Sequence, residues 1–298
     1  MSTETKEPSF DLTKVHETNL KLLKEIDRIC RKYKIKYALD SGTLLGAIRH
    51  QGFIPWDDDM DIGMPREDYE RFLELAPGEL TERYELLEAR KTPGYVLPFA
   101  KLTRADTTFV EATDQDRTYH SGIFIDIFPF DLIYEDPKKR DKLLRRSWIL
   151  ARLCVLSEYK RPKLPQGLSP AKGAIAHFGC AVIHYGLRLL GQNGKELHQR
   201  YVDTMTRPAR EGAEGLYTDA VLYRLEDNYG QTDVCYPAEV LFPTVTVPFD
   251  GMEAAVPGDY DRYLTRTFGD YMQLPPEDKR HCHFPAVLDF GDTEKEPV

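Results

Sequence analysis

Four aspartates within five positions, Asp57, Asp58, Asp59 and Asp61, are the feature that any fold of this chain must accommodate. Ile54 and Trp56 precede them, and Met60 and Ile62 are interleaved with them. A solvated acidic turn needs no such apolar neighbours, and carboxylates carried into an apolar setting must be paired, hydrogen-bonded or bound to a metal. If the run from Asp59 to Met64 is a strand, Asp59 and Asp61 point to one face, about 7 Å apart along the chain. Two carboxylates so placed suit a hard divalent cation such as Mg²⁺, which takes carboxylate oxygens together with substrate phosphates. About seventeen residues before Asp59, Ser41-Gly42 opens a helical pattern. The free N–H groups and positive end of such a helix suit a phosphate. An EF-hand loop beginning at Asp57 would want Gly sixth and Glu twelfth, where Ile62 and Asp68 stand, so that reading is discarded. A glycosyltransferase with a DxD motif uses the same two acids, but that class does not require the Ser-Gly helix.

The rest of the chain supplies a scaffold for this stretch. Apolar residues from Val15 to Tyr33 recur at helical spacing, which predicts an amphipathic helix over 13–33. A short strand at 36–40, a helix over 43–50 and a loop over 51–58 follow, then the 59–64 strand. Pro65 suits the first position of the next helix. Strands are predicted at 84–88, 96–102, 107–111 and 122–130. The pattern is a mixed sheet with helices on its faces, α/β or α+β.

In the last of these strands, Asp126 is the one charged residue among Ile and Phe, so it is a candidate third carboxylate. A strand-end residue bonded to a turn or an arginine is the plainer account of it. Lys101 and Arg104 on the neighbouring strand are candidate phosphate clamps, or a solvated strand edge. Arg49 and His50 close the helix after Ser-Gly, where they can cap its C-terminus or reach a ligand. Trp56 can stack on a base or face a quaternary ammonium, or simply pack its loop. His281 and His283 alternate across Cys282, a spacing better suited to a surface or structural role than to catalysis.

Composition narrows the class. A net charge of −9 argues against a nucleic-acid binder. Five scattered cysteines without a C-x-x-C suit reduced thiols in the cytoplasm. The charge is uneven: residues 138–172 hold eleven Lys or Arg against Asp141 and Glu158, a local +9 that leaves −18 elsewhere. Two helices, 137–158 and 171–191, and a third over 193–206 are predicted here. This basic, apolar 138–191 segment suits contact with anionic lipid at the inner face of a membrane, or a helical subdomain with a solvated basic face. Strand-like pieces at 240–247 and 254–256 and a helix over 258–268 complete the chain.

The run Asp40-Ser-Gly-Thr-Leu-Leu-Gly-Ala-Ile-Arg-His-Gln-Gly-Phe-Ile-Pro-Trp-Asp-Asp-Asp-Met-Asp closely resembles the signature of the LicD family, bacterial phosphocholine transferases related to fukutin. Fainter likeness continues through 98–104, 122–131 and 263–280. The resemblance implies an α+β, nucleotidyltransferase-like mixed sheet flanked by helices. It divides into a catalytic core over 11–135, a basic helical subdomain over 136–210, and a part over 211–290 that completes the core. It implies that Ser41, Gly42 and Thr43 face the donor phosphates, that Asp59, Asp61 and Asp126 are catalytic and hold Mg²⁺ (or Mn²⁺), and that Asp57 supports them. The implied reaction moves a phospho-alcohol, foremost phosphocholine, from a CDP-linked donor to a hydroxyl of a glycan or its lipid-linked precursor, with release of CMP. A nucleotidyltransferase that releases pyrophosphate, and a non-catalytic nucleotide-binding protein, are the competing readings.

Overall fold

A computed structural model describes residues 12–111, 117–162, 164, 168–218, 235–277, 280 and 285–291. The first element, α1 (Leu12–Tyr33), forms where the periodicity predicts it. Val15, Leu22, Leu23, Ile26 and Ile29 are wholly buried, and lysines and acids ride the other face. Strand β1 (Ala38–Leu39) is shorter than the predicted 36–40. It leads straight into α2 (Ser41–His50), which starts two residues before the predicted Thr43 because Asp40 caps it. Strand β2 (Asp61–Pro65) begins two residues later than predicted, so Asp59 and Met60 precede it. Pro65 is the cap of α3 (Arg66–Leu75) and not its first residue.

Strands β3 (Tyr84–Leu87), β4 (Ala100–Arg104), β5 (Thr108–Glu111) and β6 (Phe124–Leu132) follow. Then come α4 (Pro137–Glu158), α5 (Pro170–Leu189), α6 (Gly194–Met205) and the single turn α7 (Arg207–Arg210), near the predicted bounds. Beyond them lie β7 (Leu216–Thr218), β8 (Cys235–Pro237), the single turn α8 (Ala238–Leu241), β9 (Val245–Phe249), β10 (Met252–Val256), α9 (Tyr260–Phe268) and β11 (Pro285–Asp289). The strand predicted at 240–247 is therefore two elements, parted around Pro243, which has no N–H to continue either one.

The fold is α+β. Its main sheet runs β1-β2-β6-β4-β3, with β7 added to the far end of β6 and β8 to β7. Among the described residues only β2 and β6 pair in parallel; β4 lies antiparallel on the other side of β6. Residues from α1, β2, β6 and α3 share one core with Phe249, Val256, Tyr263 and Leu264, which come from beyond the basic helices. Gly63 is needed where it stands, because the Phe130 ring lies 1.9 Å from where a Cβ would be. The basic helices are joined to the rest of the core at several points, and Leu143 of α4 packs with Ile133 and Cys235. Val96 packs with Cys154 and Leu197. Arg66, at the start of α3, grips Asp131 of β6 with two parallel bonds of 2.8 and 2.7 Å, close enough to His198 and Tyr201 of α6 for its charge to act on both.

Asp131 is almost wholly buried. Replacing it with Ala should cost about 3 kcal/mol, because the Arg66 guanidinium then loses its buried two-pronged partner and keeps only the more exposed Glu70. Denaturant unfolding of Asp131→Ala against the wild type measures this, and a change under about 1 kcal/mol would mean that the pair is a surface-like ion pair.

Candidate active site

Three strands bring the first part of the site together. In the parallel pairing of β2 with β6, Asp61 stands opposite Asp126, and in the antiparallel pairing of β4 with β6, Lys101 stands opposite Asp126. Residues level across adjacent strands project to the same face, so Asp61, Asp126 and Lys101 form a row. The Asp126 N–H donates to the Met60 carbonyl at 2.9 Å and ties the acidic loop to β6. The Lys101 ammonium lies 2.7 Å from Asp126 Oδ1 and 3.4 Å from the centre of the Phe124 ring. Lys101 is thus a buried partner of Asp126, not an open clamp for phosphate.

The second part is the start of α2. Asp40 is buried, and its Oδ1 accepts from the Ser41 N–H at 2.8 Å and from the Tyr263 hydroxyl of α9. Its own N–H donates to the Asp61 carbonyl at 3.0 Å. Thr43 Oγ1 accepts from the Asp61 N–H at 2.8 Å, so the helix holds the backbone of the strand acid from both sides. Ser41 has φ +47°, a left-handed conformation that costs about 1–2 kcal/mol for a residue with a side chain and concentrates at functional sites. Gly42 makes room for Asp57, whose Oδ2 lies 2.9 Å from where a Cβ would sit. The Asp57 carbonyl in turn is 2.6 Å from His16 Nε2 of α1.

The electrostatic consequence is severe. Asp61 is pushed well above the usual carboxylate range, first by burial and then by Asp59, Asp126, Asp40 and Asp57. Asp40 is also pushed up by burial, against the pull of Tyr263 and the Ser41 N–H. Five carboxylates therefore surround the end of a helix that by itself attracts anions. A phosphate could approach such a place only with a cation. The donors are all carboxylate oxygens, the chemistry that hard divalent ions take. Among the described residues, however, no three acidic, His or Cys side chains are grouped as a metal cage. Lys101 engages Asp126, and the set fits an ion held by one or two carboxylates and completed by water and substrate, as is usual for Mg²⁺.

The other predicted residues lie elsewhere. The Arg104 guanidinium is buried, bonded to Asp106 Oδ1 at 2.5 Å and set over the Tyr84 ring, so it does not join the row. Arg49 and His50 are bonded to each other at 3.0 Å in the last turn of α2, and Arg49 Nη1 donates to the Tyr271 carbonyl. They lie at the opposite end of α2 from Ser41, about 12–14 Å along the helix axis. The Arg280 guanidinium lies 4.6 Å from the centre of the Trp56 ring, so one face offered to a base or an ammonium already carries a cation. Asp58, beside the predicted metal pair, is buried. His281 and His283 lie outside the described residues. Sequence reasoning missed Asp40 and Tyr263. Asp40 carried a signal, being an N-cap residue type directly before Ser-Gly. Tyr263, 223 positions away, carried none.

Residues 34–153 match the LicD/FKTN/FKRP nucleotidyltransferase domain. The chain is 29% identical over 265 residues to the lipopolysaccharide cholinephosphotransferase LicD of Haemophilus influenzae, covering 89% of this chain and 92% of that one. It is also 36% identical over 120 residues, 39% of this chain and 35% of the other, to an uncharacterized protein of Rickettsia typhi. A second such protein, from Rickettsia prowazekii, is 50% identical over 56 residues, 19% of this chain and 21% of its own. These matches bear out the LicD resemblance read from the motif.

The raised Asp61 carboxyl fixes the sign of a pH effect. At a pH above the ordinary carboxylate value of 3.8, the folded state holds more protons at this site than the unfolded chain, so stability falls as pH rises. In chelator at pH 7.5, Asp61→Asn should therefore melt above the wild type, and the difference should shrink towards pH 4. Added Mg²⁺ should raise the wild-type melting temperature and leave that of Asp61→Asn unchanged. Thermal scans across pH test both, and an Asp61→Asn protein that melts lower in chelator at pH 7.5 would contradict the repulsion.

Proposed function

From the LicD-type match over residues 34–153, we propose that this protein is a divalent-cation-dependent phosphotransferase with a nucleotidyltransferase-type core. It takes a phospho-alcohol, phosphocholine foremost, from a CDP-linked donor to a hydroxyl of a cell-surface glycan or its lipid-linked precursor. The core comprises 11–135 and 211–290, with 136–210 as a basic helical subdomain. The enzyme works in the cytoplasm, at the inner face of the membrane. The observation that carries the reading is the crowding of Asp40, Asp57, Asp59, Asp61 and Asp126 about one helix start, a place where a pyrophosphate needs a cation between itself and the protein. Likeness to a cholinephosphotransferase along nearly its whole length supports the choice of alcohol.

Asp59 and Asp61 would hold Mg²⁺ (Mn²⁺ is an alternative), which would supply positive charge to neutralise the pyrophosphate and the departing CMP. The Gly42 and Thr43 N–H groups in the first turn of α2, with the Ser41 hydroxyl, face the donor phosphates, while the Ser41 N–H is held by Asp40. Asp126 takes the proton of the attacking hydroxyl, its other oxygen held by Lys101. The hydroxyl oxygen bonds to the phosphorus that bears the alcohol, the bond from that phosphorus to the CMP oxygen breaks, and CMP leaves with the electron pair. Tyr263 is a positioning residue that steadies Asp40 and, through it, the start of α2.

Incubation with CDP-choline, Mg²⁺ and a lipooligosaccharide acceptor should release CMP in step with choline incorporation. Asp59→Asn should lower that rate by roughly a hundredfold or more, since loss of even outer-shell partners of a metal costs about 10–100-fold. Release of pyrophosphate from a nucleoside triphosphate would instead identify a nucleotidyltransferase. Near-normal turnover by folded Asp59→Asn would sink the metal role.

A further inference from the structure

Helix α5 is docked through one buried residue, His184, whose Nδ1–H donates to the Leu156 carbonyl of α4 at 2.9 Å. On the opposite face stand Ile175, Phe178, Val182, Tyr185 and Leu189, spaced by three and four, with exposures of 72, 72, 55, 57 and 89%. Ile183 and Leu190 flank them at 43 and 75%. A contiguous exposed apolar face of this size marks a binding surface. The helix contains no Asp or Glu; its charges are Lys172 and Arg188. It packs on α4, where three basic residues, Lys142, Arg145 and Arg146, outnumber the one acid, Asp141, in a shallow groove completed by Ile149 and Leu150. Among the described residues no single helix is long and apolar enough to cross a membrane.

We propose that α5 is an interfacial helix that lays the face of Ile175, Phe178, Val182, Tyr185 and Leu189 into an anionic lipid surface, with the basic groove of α4 receiving headgroup phosphates. Charge selects this occupant. A second copy of the chain would bring two +9 segments together, whereas an anionic bilayer complements them. The helix lies in the interface because its apolar side is one face only and its docking side is fixed to α4. The proposal rests on the transferase reading only in supposing that this surface carries the acceptor, and its test uses neither donor nor acceptor.

The full chain is sedimented with vesicles of phosphatidylglycerol and phosphatidylethanolamine, and with phosphatidylcholine alone, over a range of salt. The wild type should bind the anionic vesicles, more weakly as salt rises. Phe178→Ser with Val182→Ser and Leu189→Ser should weaken binding by tenfold or more, given about 0.8 kcal/mol for each buried methylene. Arg145→Gln with Arg146→Gln should remove most of the salt dependence. Phe178→Trp provides a check that needs no loss of binding: its emission should shift to the blue on anionic vesicles beyond any change in the wild type. A wild type that ignores anionic vesicles would overturn the proposal, as would a folded triple variant that binds equally. So would light scattering that finds a wild-type dimer and a monomeric triple variant, since the face then belongs to a second copy. None of these results depends on whether CDP-choline is turned over.

Discussion

Backbone pairing holds like charges together here, and most of what is distinctive in the structure follows from that. The parallel register of β2 with β6 sets Asp61 level with Asp126, and the bond from Asp40 N–H to the Asp61 carbonyl brings a third acid in from the helix. None of these positions can relax without breaking sheet or helix hydrogen bonds. The repulsion is therefore carried by the fold and relieved only by partners. Lys101 relieves Asp126, and Tyr263 and the Ser41 N–H relieve Asp40. The bonds that fix the Asp61 backbone bring it no such cation, and burial and its acidic neighbours push its carboxyl well above the usual range.

Those partners come from distant parts of the chain, which explains why the core is assembled as it is. Tyr263 stacks on Tyr236 at 4.3 Å between centroids, and Tyr236 bonds Thr267, so α9 is fixed against β8 before its tyrosine reaches Asp40. Loss of that packing would free Asp40 from its cap and, with it, the left-handed Ser41. The site is thus sensitive to residues that never approach a substrate.

What could be read from the sequence follows the range of the interaction. The Asp59 and Asp61 pair, the Ser-Gly helix start and Asp126 are visible as local oddities, polar residues where apolar ones are the rule, and the structure gathers them. Element types were legible wherever the period ran long, as in α1, α4 and α5. Boundaries failed where a side chain and not a period decides them: α2 starts early through Asp40, and β2 starts late because Asp59 and Met60 serve the loop. Lys101 and Arg104, three residues apart on one strand, looked alike as clamps. Only the register with β6 and the nearness of Asp106 separate them, and neither leaves a mark in a single sequence.

The uneven charge joins the site to the helices. Outside 138–172 the chain carries −18, and Asp40, Asp57, Asp59, Asp61 and Asp126 gather at the acid centre. An anionic bilayer would repel such a body at long range within about a Debye length, roughly 8–10 Å at ordinary salt. A protein that must meet a lipid-borne acceptor under these conditions needs its attraction gathered in one place. It also needs that place rigidly tied to the sheet, so that docking orients the site instead of merely tethering it. The packing of Val96 with Cys154 and Leu197, and of Leu143 with Ile133 and Cys235, provides that tie between the helices and the core.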